Sequence, residues 1–425
     1  MTDSERVFTK CERRLIPFMG LLYLVSIIDR LNVGFAALTM NRDLGLSPVV
    51  FGLGGGIFFL GYFVFQVPAT FILVRLGARR WVFCILLVWG AISAACAFIQ
   101  GPLSFYTLRF LLGVAEAGLF PGIVLYLTRW LPQDRRARAI GGFMAASPLA
   151  FIIVGPISSL ILGMDGLSGL HGWQWLFLIE GMPACALAFI LLRIVPDTPA
   201  DASWLTAEEK HVIAARIEQE RHEDESFWPA LLDPRLSVLG IAYMAVAAGG
   251  YGMRLWLPQI VQGMGVPDSQ NGFVVAVPYI FAMAAMIWWG HSSDRRGERI
   301  WHIVLPTFLG ALGFFIAALS QSDVVMFLGI ILVILGLDAV IGPFWSLPAS
   351  FLRGGAAASG IALINTFGTG AGGFIGPYLI GYLKEQTGDY ASSMAVLAVA
   401  LLGTCLIVLT FGRRISAAAI ARSKS

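Results

Sequence analysis

Apolar stretches of about 20 residues, the length that crosses a bilayer's hydrocarbon core, recur along this chain between short polar turns. They fall near 15–40, 50–74, 81–99, 103–129, 138–163 and 173–195, and again near 235–260, 272–291, 302–319, 323–352, 357–384 and 390–411. The pattern predicts an all-α membrane protein with twelve transmembrane helices. Several stretches exceed a minimal span, which leaves room for tilt. One long polar insertion, 196–233, divides the two sets of six and carries ten acidic and three basic residues. Within it Thr206-Ala-Glu-Glu209 has the form of a capping box, in which the threonine and the second glutamate satisfy each other's backbone N–H groups. A surface helix is expected there. The organisation read from this is a six-helix bundle over 1–195, a cytoplasmic linker over 196–233 and a second six-helix bundle over 234–425.

Composition agrees with the pattern. Only 13% of the 425 residues are charged and 57% are hydrophobic, with a mean hydropathy of +0.78; a soluble domain carries roughly 25% charged residues. The 48 glycines suit helices that pack closely in lipid. The segment from Met1 to Arg14 is polar and is not followed by a short apolar core with a cleavage site, so it does not read as a signal peptide. The five cysteines and five histidines show no CxxC, HExxH or other metal spacing, so neither a metal nor another cofactor is expected. The net charge of +3 calls for no nucleic acid. No P-loop, nucleophile–base set or large soluble output domain is present. An ATP-driven pump, an enzyme and a sensor are therefore disfavoured.

Basic residues set the orientation. With both termini in the cytoplasm, 24 of the 29 lysines and arginines lie inside. Arg42 and Lys384 lie outside, and Arg30, Arg109 and Arg254 fall within the helices. The halves also repeat. Arg75-Leu-Gly-Ala-Arg79 after the second segment is matched by Arg295-Arg-Gly-Glu-Arg299 after the eighth, Gly155-Pro156 by Gly376-Pro377, and Pro121 by Pro343, at offsets of 220, 221 and 222. Duplicated bundles with a site between them near the midplane are a known transporter solution.

The intramembrane charges are the candidate chemistry. Asp29 and Arg30 stand together in the middle of the first apolar segment, where a charge costs about 2.5–3.5 kcal/mol on insertion scales. Arg109 and Glu116 answer them in the fourth, spaced i, i+7 on one helix face. Counting residues from the segment ends at 1.5 Å each puts Arg30 and Arg109 within roughly one to two turns of the midplane. Arginine suits a carboxylate because its planar fork donates in pairs and stays charged. With both acids ionised the four charges cancel; protonating one frees an arginine for an incoming anion. The alternative for this quartet is an ion pair that locks the first helix to the fourth. Tyr62, Ser26, Asn32 and Asn365 are candidates for hydrogen bonds to substrate hydroxyls or for internal satisfaction of the helices. Trp345 and Trp256 are candidates for contact with a substrate or for packing. Arg254 either attracts a second carboxylate or snorkels to the outer interface. Residue counts separate Arg254 and Asp338 in depth by roughly 13 Å, so no direct pair is expected between them. Glu180 is read as structural.

These features resemble the major facilitator superfamily. Gly290-His-Ser-Ser-Asp-Arg-Arg-Gly-Glu-Arg299 is close to its short cytoplasmic loop motif, and the first-half copy is degraded, with Thr70 and Val74 at motif positions. Within the superfamily, four stretches are similar to the anion:cation symporter family of sugar-acid, tartrate and phthalate carriers, related to sialin-type carriers. They are Asp29-Arg-Leu-Asn32, Arg109-Phe-Leu-Leu-Gly-Val-Ala-Glu-Ala-Gly-Leu-Phe-Pro-Gly122, Trp256-Leu-Pro-Gln259 and Pro343-Phe-Trp-Ser-Leu-Pro348. The resemblance implies two pseudo-symmetric six-helix bundles, the major facilitator fold. It implies proton coupling by Asp29 and Glu116 and anion binding by Arg30 and Arg109, with Tyr62 and Asn365 contacting substrate. Arg75, Arg79, Asp294, Arg295 and Arg299 would form cytoplasmic gating bridges. Ile27, two residues before the acid, and Arg254 depart from what the family leads one to expect. The function expected is import of a small organic anion by proton symport, across the inner (plasma) membrane, by a monomer whose partners are the anion, protons and the lipid bilayer. Export or anion exchange by the same fold is the alternative.

Overall fold

The computed structural model describes residues 3–144, 146–219, 234–349, 360–361 and 363–412. The first half contains α1 (Asp3–Asp43), α2 (Pro48–Leu76), α3 (Ala78–Ala95), α4 (Pro102–Thr128), α5 (Gln133–Met144 with Ala146–Leu162) and α6 (Gly172–Ile194). The second half contains α7 (Pro234–Gly263), α8 (Asp268–Arg296), α9 (Ile300–Leu319), α10 (Asp323–Pro348), α11 (helical over 363–387) and α12 (Ala391–Phe411). Eleven helices among the described residues are long and apolar enough to cross a membrane, and α11 takes the twelfth place. Its first part, Thr366–Gly372, is wound as a π-helix.

Large apolar side chains such as Val67, Phe71, Leu160, Trp288 and Leu319 stand exposed on the outer faces. That surface suits lipid, because the helices satisfy their backbone groups internally. Connections are short and locally encoded. Ser47 caps α2 through Val50 N at 3.4 Å, with Pro48 in the first turn. Gly297, at φ 63°, ends α8 in the left-handed region that glycine adopts without strain.

The expected surface helix is present as Ala207–Gln219. Its capping box forms as read, with Thr206 N donating to Glu209 Oε2 at 2.8 Å and Glu209 N to Thr206 Oγ1 at 3.2 Å. The remainder of the linker, 220–233, lies outside the described residues, as do Arg353 and the basic tail beyond 412 that entered the orientation argument.

Two features place the site. First, α4 and α10 are interrupted at corresponding points: α4 pauses after Glu116 and resumes at Leu119, and α10 pauses after Ala339 and resumes at Ile341. Second, the halves meet through α1 with α7, α2 with α11 and α5 with α8. Their closest polar contacts gather at one end, called here the far end, opposite the arginine-rich α2–α3 and α8–α9 loops. There Glu385 accepts from Ser47 Oγ at 2.6 Å and Val49 N at 2.9 Å, and Ser159 Oγ donates to Asp268 O at 2.8 Å.

Candidate functional site

Arg30 of α1 donates through Nε to Glu116 Oε2 at 2.6 Å. The Ser26 hydroxyl, one turn earlier on the same helix, approaches that oxygen at 3.4 Å, long for an O–H···O bond. Glu116 ends the first limb of α4, so its carboxylate lies at the helix break. The acid side chain is fully buried and the arginine 16% exposed, so the guanidinium is the member of the pair open to an arriving group. Its Cζ lies 5.1 Å from the Tyr62 ring centroid and 5.6 Å from that of Phe58. Arg109, on the same face of α4 as Glu116, is 2% exposed. Its Cζ is 4.9 Å from the Phe58 centroid, and its Nε and Nη1 have no hydrogen-bond partner. The aromatic residues reach both arginines because α2 and α4 pack backbone to backbone: a Cβ on Gly113 would stand 2.0 Å from the Phe58 carbonyl oxygen.

Asp29 turns away from this group. Successive residues of a helix point about 100° apart, and Asp29 faces α3. There its carboxylate accepts from Trp89 Nε1 at 2.6 Å, from the Ser93 hydroxyl and from Asn32 Nδ2 at 3.2 Å. Trp89 and Ser93 are i, i+4 on one face of α3, a spacing visible in the sequence as a polar pair opposite the acid. Asn32 is thus engaged with Asp29, and its Oδ1 has no partner.

In the second half, Arg254 Nη2 of α7 hydrogen-bonds Asp338 Oδ1 of α10. This overturns the expectation that these residues are too far apart in depth to meet, and the alternative that Arg254 snorkels outward. α7 runs to Gly263, three residues beyond the apolar segment. The depth difference becomes about 9 Å at 1.5 Å per residue, which helix tilt and a long arginine side chain span. Arg254 Cζ also lies 4.7 Å from the ring of Phe151 on α5, so it stands at the seam between the halves.

The remaining candidates are more dispersed. Trp345 packs against Tyr243 at 5.0 Å between ring centroids, and Asn365 Oδ1 accepts from Thr369 Oγ1 at 2.7 Å. Trp256 is fully buried and donates to Pro377 O at 3.0 Å, which makes it part of the α7–α11 packing. Glu180 accepts from Ser158 Oγ at 2.8 Å and ties α6 to α5. Of the gating set, Arg79 donates to the Leu192 carbonyl of its own half. Arg299 pairs at 2.7 Å with Asp294 of its own half, while Arg75 and Arg295 are exposed. No group of three or more His, Cys, Asp or Glu side chains suited to a metal occurs among the described residues.

Two six-helix halves with arginine–carboxylate pairs buried among their helices have the architecture of a membrane carrier. The chain belongs to the Major Facilitator Superfamily, whose family profile matches residues 19–377. It is a multi-pass membrane transporter, not an enzyme. It is 45% identical over 412 residues to a protein of Agrobacterium vitis named "Putative tartrate transporter", covering 96% of this chain and 95% of that one. It is 43% identical over 397 residues to a "Quinolone resistance transporter" of Acinetobacter baumannii, covering 92% and 91%. Among solved structures, a bacterial homologue of the human lysosomal transporter Spinster superposes with a TM-score of 0.78 over 94% of this chain and 96% of that one. At 17% identity it shares the fold.

Proposed function

We propose that this transporter imports a small hydroxylated or aromatic organic anion together with a proton. The observation that carries the reading is the Arg30–Glu116 pair beside Arg109, whose Nε and Nη1 are buried without a partner. Protonating Glu116 releases Arg30, and the two guanidinium groups then present a net positive charge to a carboxylate. Anion and proton therefore bind together, and the loaded site is again neutral, which lowers the cost of moving it past the closed end. In this scheme Tyr62, whose ring lies under the Arg30 guanidinium, orients a substrate hydroxyl. The Agrobacterium relative's name supports an organic acid such as tartrate. Asp29, held by three donors, fixes α1 to α3 in this scheme, and Glu116 carries the proton. The basic end faces the cytoplasm under the positive-inside rule, in the inner membrane, with both termini inside and one chain sufficing for transport. Arg75, Arg79, Asp294, Arg295 and Arg299 line that end as its gate. The halves, 1–195 and 234–425, move about the site as units.

The test is reconstitution in liposomes with a pH-sensitive dye inside and a panel of organic acids outside. One acid should acidify the lumen, and Arg109→Ala should abolish the signal. Exchange of labelled acid without proton movement would overturn proton symport. A second reading, export, is favoured by the relative named for quinolone resistance. Acidification of a loaded lumen as the cargo leaves in exchange for entering protons would select it, whereas symport running outward would make the lumen alkaline.

A further inference from the structure

The Arg254–Asp338 bridge is the counterpart of Arg30–Glu116 under the chain's internal repeat. Arg254 follows Arg30 by 224 positions and Asp338 follows Glu116 by 222, close to the 220–222 offsets of the loop arginines, the Gly-Pro pairs and the helix prolines. The matching elements are the first and fourth helices of each half. Each acid sits at the break of its fourth helix. In each pair the arginine is the more open member, 16% exposed against 0% in the first half and 14% against 9% in the second. Each guanidinium lies over aromatic rings, Arg30 over Tyr62 and Phe58, Arg254 over Phe151 and Tyr251.

The two pairs face a common seam. Phe151, beneath Arg254, belongs to the first half. Tyr251, one helical turn before Arg254, packs on Phe59 of α2 at 4.4 Å between centroids. A Cβ on Gly34, one turn beyond Arg30, would stand 2.8 Å from the Leu255 carbonyl oxygen and 3.6 Å from that of Arg254. Arg30 and Arg254 therefore differ in depth by about one turn, on helices that touch.

We propose that Arg254 is a second carboxylate site, so that the cargo is a dicarboxylate seated one carboxylate to each half, with Asp338 taking a second proton as Glu116 takes the first. The inference rests on the anion-symport reading above. The charges at the site support the count: Arg30, Arg109 and Arg254 balance Asp29, Glu116 and Asp338, while a fourth buried acid, Glu180, is engaged with Ser158 between α5 and α6. A dianion that displaces both acids from their arginines restores neutrality only if both acids are protonated. Among the described residues, the titratable groups that bear on Asp338 are Arg254 from α7 and Tyr279 from α8, so its protonation is tied to the state of Arg254. An ion pair with a merely structural task, holding α7 to α10, would give neither a diacid preference nor a second proton.

The experiment compares malate, tartrate, succinate and phthalate with their half-amides, which keep shape and lose one charge. Binding is measured on the purified full-length protein, and proton and labelled-acid uptake on wild-type proteoliposomes. For at least one acid, wild type should prefer the diacid by about 10–100-fold, the range for charge-assisted hydrogen bonds to a buried guanidinium. It should carry two protons per diacid, with uptake indifferent to an imposed membrane potential. The neutral double variant Arg254→Gln/Asp338→Asn, checked for monodispersity, should bring the diacid to half-amide ratio to about one. A wild-type ratio near one overturns the second site while leaving anion symport standing. A preference that persists in the double variant also overturns it. One proton per diacid overturns the role of Asp338. If no acid binds wild type at all, the anion reading falls and this inference with it. The wild-type measurements decide the matter even if the variant does not fold.

Discussion

The guanidinium of Arg30 and the carboxylate of Glu116 meet at 2.6 Å across 86 residues of sequence, the acid fully buried at the point where α4 breaks. A carboxylate in that position must be paired or protonated, because an uncompensated buried charge costs several kcal/mol. Glu116→Gln keeps the shape and removes the proton site. It leaves Arg30 permanently free, so the variant should bind and exchange the organic anion while failing to accumulate it under a proton gradient. Counterflow of labelled acid alongside gradient-driven uptake checks this. Full accumulation by Glu116→Gln would sink the assignment.

Asp29 should behave differently, because its partners are donors on its own half. An asparagine in its place turns an N–H towards at least one of Trp89, Ser93 and Asn32, leaving a buried donor unsatisfied at a cost of about 1–3 kcal/mol. Asp29→Asn should therefore lower the Tm in detergent, while the folded fraction still couples protons to uptake. An unchanged Tm with lost accumulation would move the proton site from Glu116 to Asp29.

The contrast between these neighbours shows what the sequence could and could not convey. The membrane spans were legible because a bilayer demands long apolar runs, and the Thr206–Glu209 box because its partners are three residues apart. Asp29 and Arg30 stand in a single DR dipeptide, and nothing in its composition says that one faces α3 and the other α4. That division depends on which helices flank α1. The Arg254–Asp338 pair was missed for another reason. Depth counted from the apolar run stopped short of the true end of α7 at Gly263. Yet the internal repeat already contained the answer, because offsets of 224 and 222 map Arg30 and Glu116, two of the four charges grouped in the first half, onto Arg254 and Asp338.

The surface helix offers a pH-dependent contact outside the membrane. Lys10 Nζ lies 2.8 Å from Glu209 Oε2, and this bond, with that from the Thr206 N–H, holds the Glu209 carboxyl below its ordinary value. A lowered pKa means the contact contributes fully above the free-carboxylate value of about 4.3 and is lost as pH falls through the docked value below it. Trp204 reports it, because its ring stacks on Trp130 at 5.6 Å and lies under Arg14. The emission difference between wild type and Trp204→Phe should stay constant from pH 8 to 5 and change below pH 4. In a Glu209→Gln background that acid transition should vanish; its persistence would place the titrating group elsewhere.

Gly155 of α5 and Gly272 of α8 decide how firmly the far end closes. A Cβ on Gly272 would stand 1.8 Å from the Gly155 carbonyl oxygen, and one on Gly155 would stand 2.3 Å from the Gly272 carbonyl oxygen. The clash is with backbone, so no side chain can rotate aside, and the helices must part. Gly272→Val therefore penalises this arrangement alone. An overpacking cost of about 1–3 kcal/mol corresponds to roughly 5–150-fold in the population of the closed far end. Cysteine at Ser159, which donates to the Asp268 carbonyl oxygen across the same seam, reports the change. The measurement is made with Cys84→Ser as background, because Cys84 is the exposed native thiol among the five. Maleimide should label Ser159→Cys faster in Gly272→Val by a similar factor, and net uptake should fall because the carrier no longer completes its cycle. Equal labelling with normal uptake would show that the glycine contact is not what holds this end shut, leaving the Glu385–Ser47 bond as the latch to remove next.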